Sequence, residues 1–256
     1  MGKKVFISLL LFLPVLFLNA QLNDEIPNDS FKDGENLKYQ VHFGWLVGGT
    51  ASLNVREMDF RGKKIYYAKA KAKSIGLTDK IYTVRDTYSS FIDAKTGKPI
   101  KSIRDIREND YRYYNEVYFN HNNNKVKSTK SGEHKVPNDM FDVLSAFYYA
   151  RRTLFDNLKE GDVIILNTFF EDEVFPLKIR YKGIESISSP VGKIKCLKFN
   201  PIVEPGRIFD SEDDMKIWVS NDKNHVPIRV QFDLIVGSLK CDLIEYNGLK
   251  TDLKFE

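Results

Sequence analysis

The chain is short of cysteine, of histidine and of charge of either sign in excess, and each shortage removes a class of protein. Two Cys in 256 residues are too few for a disulfide scaffold. Lys and Arg number 39 against 35 Asp and Glu. Two of the basic residues, Lys3 and Lys4, fall in a segment expected to be removed. What remains is close to neutral and has no clustered basic footprint for nucleic acid. Disorder is excluded as well, because a chain that is 42% hydrophobic and 13% aromatic can bury a core.

Long apolar runs are also missing after the first twenty residues. Residues 1–20 read as a cleaved secretory signal peptide: a basic start, an apolar stretch from Val5 to Leu18, then Leu18-Asn19-Ala20 before Gln21. The stretch is short for a membrane anchor, which needs about 20 apolar residues. No Cys lies near the cut to take a lipid. The later segment Met140 to Leu158 carries Asp142, Arg151, Arg152 and Asp156, so it reads as an amphipathic helix and no membrane span is expected after cleavage. The expected address is the periplasm or cell envelope. Export leaves two readings for Cys196 and Cys241: a disulfide, if their Cα atoms come within about 7 Å, or two separate buried thiols.

What is present is mostly alternation of period two. Leu37 to Phe43, Thr50 to Arg56, Tyr66 to Lys73, Val84 to Ile92, Pro99 to Arg107, Tyr111 to Asn120 and Lys125 to Ser131 read as strands. Gly44 to Gly49 reads as a glycine-bounded connection closing a hairpin. The tyrosines 111, 113, 114 and 118 read as cross-strand packing. One helix, 140–158, capped by Asn138 or Asp139 and ended by Gly161, separates this set from a second: Val163 to Phe170, Phe175 to Tyr181, Lys193 to Phe199, Met215 to Val219, Val226 to Leu234 and Leu239 to Tyr246. The expected fold is mostly β, with antiparallel meanders forming a curved sheet, half-barrel or barrel around one central amphipathic helix. Residues 21–256 form a single β-rich domain on this reading, or two lobes meeting at helix 140–158.

Chemistry is sparse. Neither a G-x-S-x-G elbow, HExxH nor a phosphate-binding G-x-x-x-x-G-K-[ST] is present. His42, His121, His134 and His225 are scattered singly. The acid-rich runs at 171–173 and 210–214 sit in expected connections, where solvation accounts for them. No catalytic residue, metal ligand or cofactor is assigned, and a non-enzyme is expected; a hydrolase would require the acids of 210–214 to converge on a cleft with another carboxylate or a His. Trp45 and Leu46, apolar residues in a turn, are the candidate contact site for a ligand or partner. The expected function is binding of an envelope lipid or glycan, with an interaction or assembly module that meets an envelope protein as the alternative.

Three stretches in order give the chain a resemblance: Gly34 to Tyr39 leading into Gly48 to Ala51, Asp142 to Arg151, and Ile217 to Asp222 before Val226-Pro227-Ile228. Together they resemble the domain of unknown function 3108 family of exported proteins from Gram-negative bacteria. The resemblance implies a barrel-like or half-barrel fold similar to YmcC-like envelope lipoproteins, and it carries over no catalytic residues.

Overall fold

The structure is a computed structural model that describes residues 25–155, 157–202, 211–235 and 237–256. The expected signal peptide, residues 1–20, lies outside them. The first run of elements is β1 (Asn36–Phe43), β2 (Leu46–Phe60), β3 (Lys63–Ser74), α1 (Gly76–Ile81), β4 (Arg85–Asp93), β5 (Pro99–Glu108), β6 (Tyr111–Asn120), β7 (Lys125–Ser128) and β8 (Gly132–Lys135). The second run is β9 (Met140–Phe141), α2 (Val143–Thr153), β10 (Val163–Phe170), β11 (Glu173–Ser189), β12 (Gly192–Pro201), β13 (Met215–Ser220), β14 (Pro227–Leu234) and β15 (Gly237–Asn247).

These strands make one sheet. It starts at β8, runs back in sequence to β1, crosses to β15 and runs back again to β9. It is thus two meanders joined along a single antiparallel seam, with Asn36 opposite Asn247 and Phe43 opposite Leu239. The terminal strands β8 and β9 do not pair, so the sheet is curved but is not closed into a barrel. All neighbours are antiparallel except β9 and β10.

Alternation places one row of side chains from each strand against the helix side. Ala51, Leu53 and Val55 of β2 and Ala68 and Ala70 of β3 share that face. The small residues of β3 leave room for the bulky rings above them: Phe31 stands 5.0 Å from Tyr66 and 4.9 Å from Tyr148, both edge-on. Leu144 and Tyr148 of α2 join this cluster, while Ala146 and Ala150 pack into a second with Phe141, Leu166 and Phe199. Each large apolar side chain buried this way contributes about 1.5–3 kcal/mol.

The helix is shorter than the expected 140–158, for a local reason. Asp142, not Asn138 or Asp139, is its cap: the carboxylate accepts from the backbone N–H of Leu144 and Ser145, both at 3.0 Å, and Ser145 Oγ accepts from the Asp142 N–H at 3.0 Å. That capping box forces Asp142 into an extended conformation, which frees Met140 and Phe141 to pair with Asn167 and Thr168. The helix ends at Thr153, well before Gly161. Two further differences concern the first meander. β2 begins at Leu46, so the expected Gly44–Gly49 connection shrinks to Gly44 and Trp45, with Gly44 supplying the positive φ (+57°) that a two-residue hairpin turn requires. The six-residue α1 fills the link from β3 to β4, which the periodicity did not mark.

One buried ion pair ties the layers together. The Arg151 guanidinium, with no solvent exposure, donates to both oxygens of Glu35 at 2.7 and 2.8 Å, to the Asn224 carbonyl at 3.0 and 2.7 Å, and to the Ser30 carbonyl at 3.2 Å. Burial works against its charge, but the Glu35 carboxylate more than offsets that and holds the Arg151 pKa above its usual value. Phe31, Phe147 and Tyr148 place their rings within 5.6 Å of the cation.

Cys196 and Cys241 are free thiols on β12 and β15, separated in the sheet by β13 and β14. Burial pushes each thiol up to about 12.

Two outcomes follow. Removing one partner of a buried ion pair leaves the other charge uncompensated and costs about 3–5 kcal/mol. Arg151→Met should therefore lower the unfolding free energy in urea by that amount, with Arg151→Met/Glu35→Leu recovering part of it; a loss under about 1 kcal/mol would contradict the role given to the pair. For the thiols, alkylation in denaturant should add two adducts, whereas the folded protein at neutral pH should take none. A native mass two hydrogens lighter would instead reveal a bridge.

Candidate functional site

The β1–β2 tip, α1 and the start of β15 meet at one end of the sheet. The Gly44 N–H donates to the Ser238 carbonyl at 3.4 Å, and the Ile75 N–H donates to the Gly48 carbonyl at 3.0 Å. Gly48 and Gly49 allow the closeness: a Cβ at Gly49 would lie 2.9 Å from the Lys73 carbonyl, and one at Gly48 would lie 3.1 Å from Thr78 Oγ1. Asp79 anchors α1. Its carboxylate takes both Arg85 terminal nitrogens at 2.7 and 2.9 Å and Ser74 Oγ at 2.5 Å. These bonds, with Arg85 foremost, hold the Asp79 carboxyl down at about 2.

Between these parts lies a groove of about 250 Å³, a little under the 300–1,000 Å³ range of ligand sites. Val41, Phe43, Leu46, Ala72, Val84 and Leu239 give it an almost wholly apolar surface. Two of the polar side chains in its walls are already bonded. Ser74 Oγ donates to Asp79 and accepts from the Val84 N–H at 2.8 Å. The His42 ring bonds Asp242 at 2.8 Å and the Gly44 carbonyl at 3.1 Å.

Of the two residues singled out in the sequence, Leu46 lines this groove and Trp45 stands beyond it, 93% exposed at the tip. Periodicity alone could not reveal the other walls, which come from β1, β3, α1, the α1–β4 link and β15. A partial signal existed in the Gly48-Gly49 pair, since adjacent glycines inside a strand mark close backbone approach.

A second, much smaller cleft, of about 50 Å³, lies between β4–β6 and the start of α2. Several of its polar groups are committed to structure. Arg104 bonds Glu171 at 3.1 Å and lies 4.6 Å from the centre of the Phe170 ring. Asp172 accepts from Ser128 Oγ at 2.5 Å and Asn115 Nδ2 at 3.0 Å, and Asp142 is the helix cap. The tyrosine-rich strand β6 is likewise used in packing. Tyr114 and Tyr118 donate to Glu116 at 2.6 and 2.7 Å, and Lys101 adds an ion pair at 2.8 Å that, first among these contacts, holds the Glu116 carboxyl down at about 2.

Two acids of the 210–214 run face cations. Asp213 pairs with Arg180 at 2.8 Å and Glu212 with the same guanidinium at 3.2 Å; Asp210 lies outside the described residues. Among the described residues, no group of three His, Cys, Asp or Glu side chains is placed to share a metal ion, and no helix is long and apolar enough to cross a membrane.

Solved structures echo this architecture. A beta-barrel-like protein of domain of unknown function DUF1849 from Brucella abortus superposes with a TM-score of 0.57 at 10% identity, over 85% of this chain and 98% of that one. A hypothetical protein from Chlamydia trachomatis is a more distant match, with a TM-score of 0.40 at 10% identity over 89% and 92% of the two chains. So is a protein from Bacteroides fragilis assigned as exported, with a YmcC-like fold: TM-score 0.37 at 10% identity over 85% and 97%. No curated protein matches the chain at a significant level. The sequence itself matches the family described as "Protein of unknown function (DUF3108)" over residues 38–244, from the third residue of β1 to the eighth of β15. A match that spans the seam and both meanders shows that the chain belongs to the DUF3108 family.

Proposed function

We propose that the protein binds an apolar or amphiphilic molecule of the cell envelope in the groove between the β1–β2 tip, α1 and β15, and does so without transforming it. One observation carries this reading. The groove is open to solvent, its surface is almost wholly apolar, and two of its polar wall side chains, Ser74 and His42, are spent on Asp79, Asp242 and backbone groups. A glycan needs free donors and acceptors, because a hydroxyl buried without a partner is costly. An acyl chain needs none. The lipid half of the lipid-or-glycan expectation is therefore the better supported.

A non-catalytic role fits the same wall, since none of its groups pairs a nucleophile with a base. An exported or envelope location, in keeping with the leader read at residues 1–20, would put such a molecule within reach.

A saturated long-chain fatty acid is the probe. Burying about ten methylenes at about 0.8 kcal/mol each corresponds to a Kd on the order of micromolar. Val41→Glu, which sets a carboxylate in the groove, should weaken binding at least about tenfold. The protein recovered from its host should carry lipid-sized adducts in native mass spectrometry. A clean apo mass together with no uptake of the fatty acid would sink the proposal.

A further inference from the structure

The end of the sheet that holds the groove exposes more apolar surface than a groove requires. Trp45 at the hairpin tip is 93% exposed, and Leu77 and Ile81 of α1 are 61% and 74% exposed. Leu77 and Ile81 are four residues apart, so they share one face of the helix. No residue of α1 is buried, so that face packs on nothing within the chain. Ile235, in the β14–β15 turn, is also exposed. The hydrogen bonds from Gly44 to Ser238 and from Ile75 to Gly48 hold the hairpin tip, the β15 start and α1 beside one another. Three chain-distant protrusions therefore present apolar side chains from one end. Scattered exposed hydrophobes are ordinary, but a contiguous set drawn from separate segments marks an interaction surface.

The charges around it are lopsided. Asp79 and Asp233 are neutralised by Arg85 and Lys216. Lys73, Lys80, Lys240 and Arg112 meet no carboxylate partner among the described residues, against Glu108, which accepts from the Tyr82 hydroxyl at 2.8 Å, Asp86, which accepts from the Arg107 backbone N–H at 3.1 Å, and Asp110. The excess is positive. Protein–protein interfaces are depleted in Lys, whereas exposed Trp and Leu ringed by Lys is the pattern of side chains that enter the interfacial layer of a bilayer while ammonium groups reach the headgroups.

We propose that this end is a membrane-docking surface, in which Trp45, Leu77 and Ile81 insert shallowly into an anionic bilayer and the surrounding lysines contact its headgroups. The contact is peripheral and reversible. It brings the mouth of the groove to the lipid surface, yet it needs no occupied groove, so it stands or falls apart from the binding proposed above.

The test is flotation of the protein, as its host processes it, with vesicles of phosphatidylethanolamine and phosphatidylglycerol, and with vesicles of phosphatidylcholine alone. The expected result is co-flotation with the anionic vesicles that weakens with salt. Lys80→Gln should lower the partition coefficient roughly fivefold, in line with the contribution of one basic residue near an anionic surface. Trp45→Ser/Leu77→Ser/Ile81→Ser should abolish flotation with no change in Tm, because the three side chains are exposed. Trp218 is buried, so Trp45 emission should shift to the blue on the vesicles. Val41→Gln, a groove substitution that adds no charge, should float like the unaltered protein. Failure of the protein to float, flotation that persists in the triple variant, or Trp45-dependent self-association in place of flotation would each overturn the proposal.

Discussion

Arg151 and Glu35 are the constraint from which the rest of the architecture hangs. A guanidinium with no access to water is tolerated only where carboxylate and carbonyl oxygens replace its hydration, and here those oxygens come from two regions far apart in the chain. Glu35 precedes β1, Ser30 lies in the lead toward it, and Asn224 sits in the β13–β14 turn. The carbonyl of Arg151 is used too, accepting from Ser30 Oγ at 2.5 Å and bonding His225 Nδ1 at 2.9 Å. Asn224 extends the web to the backbone of Thr251. Because each oxygen must stay within about 3 Å of one planar cation, the helix, the lead and the second meander have little freedom to shift relative to one another. The geometry of an open sheet, which has no closure to stiffen it, is fixed from inside.

That openness raises the question of edges, since unpaired strands invite aggregation. The two edges are blunted differently. β8 is four residues long and carries Glu133 and Lys135, with Glu133 held by Lys125. β9 is two residues long and merges at once into the capped helix. The face away from α2 is kept wet by the alternate residues of β3, Lys69, Lys71 and Lys73. Exposed apolar side chains remain along β10 and β11, at Ile165, Phe175 and Ile184, as well as at the end bearing Trp45 and α1, where three separate segments bring them together.

Strands were the most legible part of the sequence, because one face of each is polar. Leu37 to Phe43 and Val226 to Leu234 alternate so clearly that β1 and β14 match them to within a residue. The short strands β8 and β9 were not legible; two or four residues carry too little periodicity. The helix boundary failed because Met140 extends the helical apolar spacing while Asp142 overrules it with a cap. α1 escaped because a six-residue helix with outward-facing Leu77 and Ile81 has no buried stripe to announce it. In the site, Trp45 and Leu46 stood out as apolar residues in a turn. Val84 and Leu239 did not, since a groove wall is made by register between distant strands. The Arg151–Glu35 pair, 116 positions apart, was invisible for the same reason, although Arg151 fell within the helix where a charge facing inward could have been suspected.

The seam between β1 and β15 governs when the protein can become itself. Each meander consists of neighbours in sequence, and its hairpins can close locally within microseconds. The seam joins Asn36 to Asn247, so the central pairing of the sheet must wait until nearly the whole chain is available. Loops of that length close slowly, and folds dominated by distant pairings take milliseconds to seconds. Until then the apolar faces of both meanders have no shared helix to cover them, and a chain emerging from a ribosome or through a pore remains a pair of unsealed half-sheets. The last strand to appear is the one that completes the groove, so no ligand can be captured by a partly made molecule.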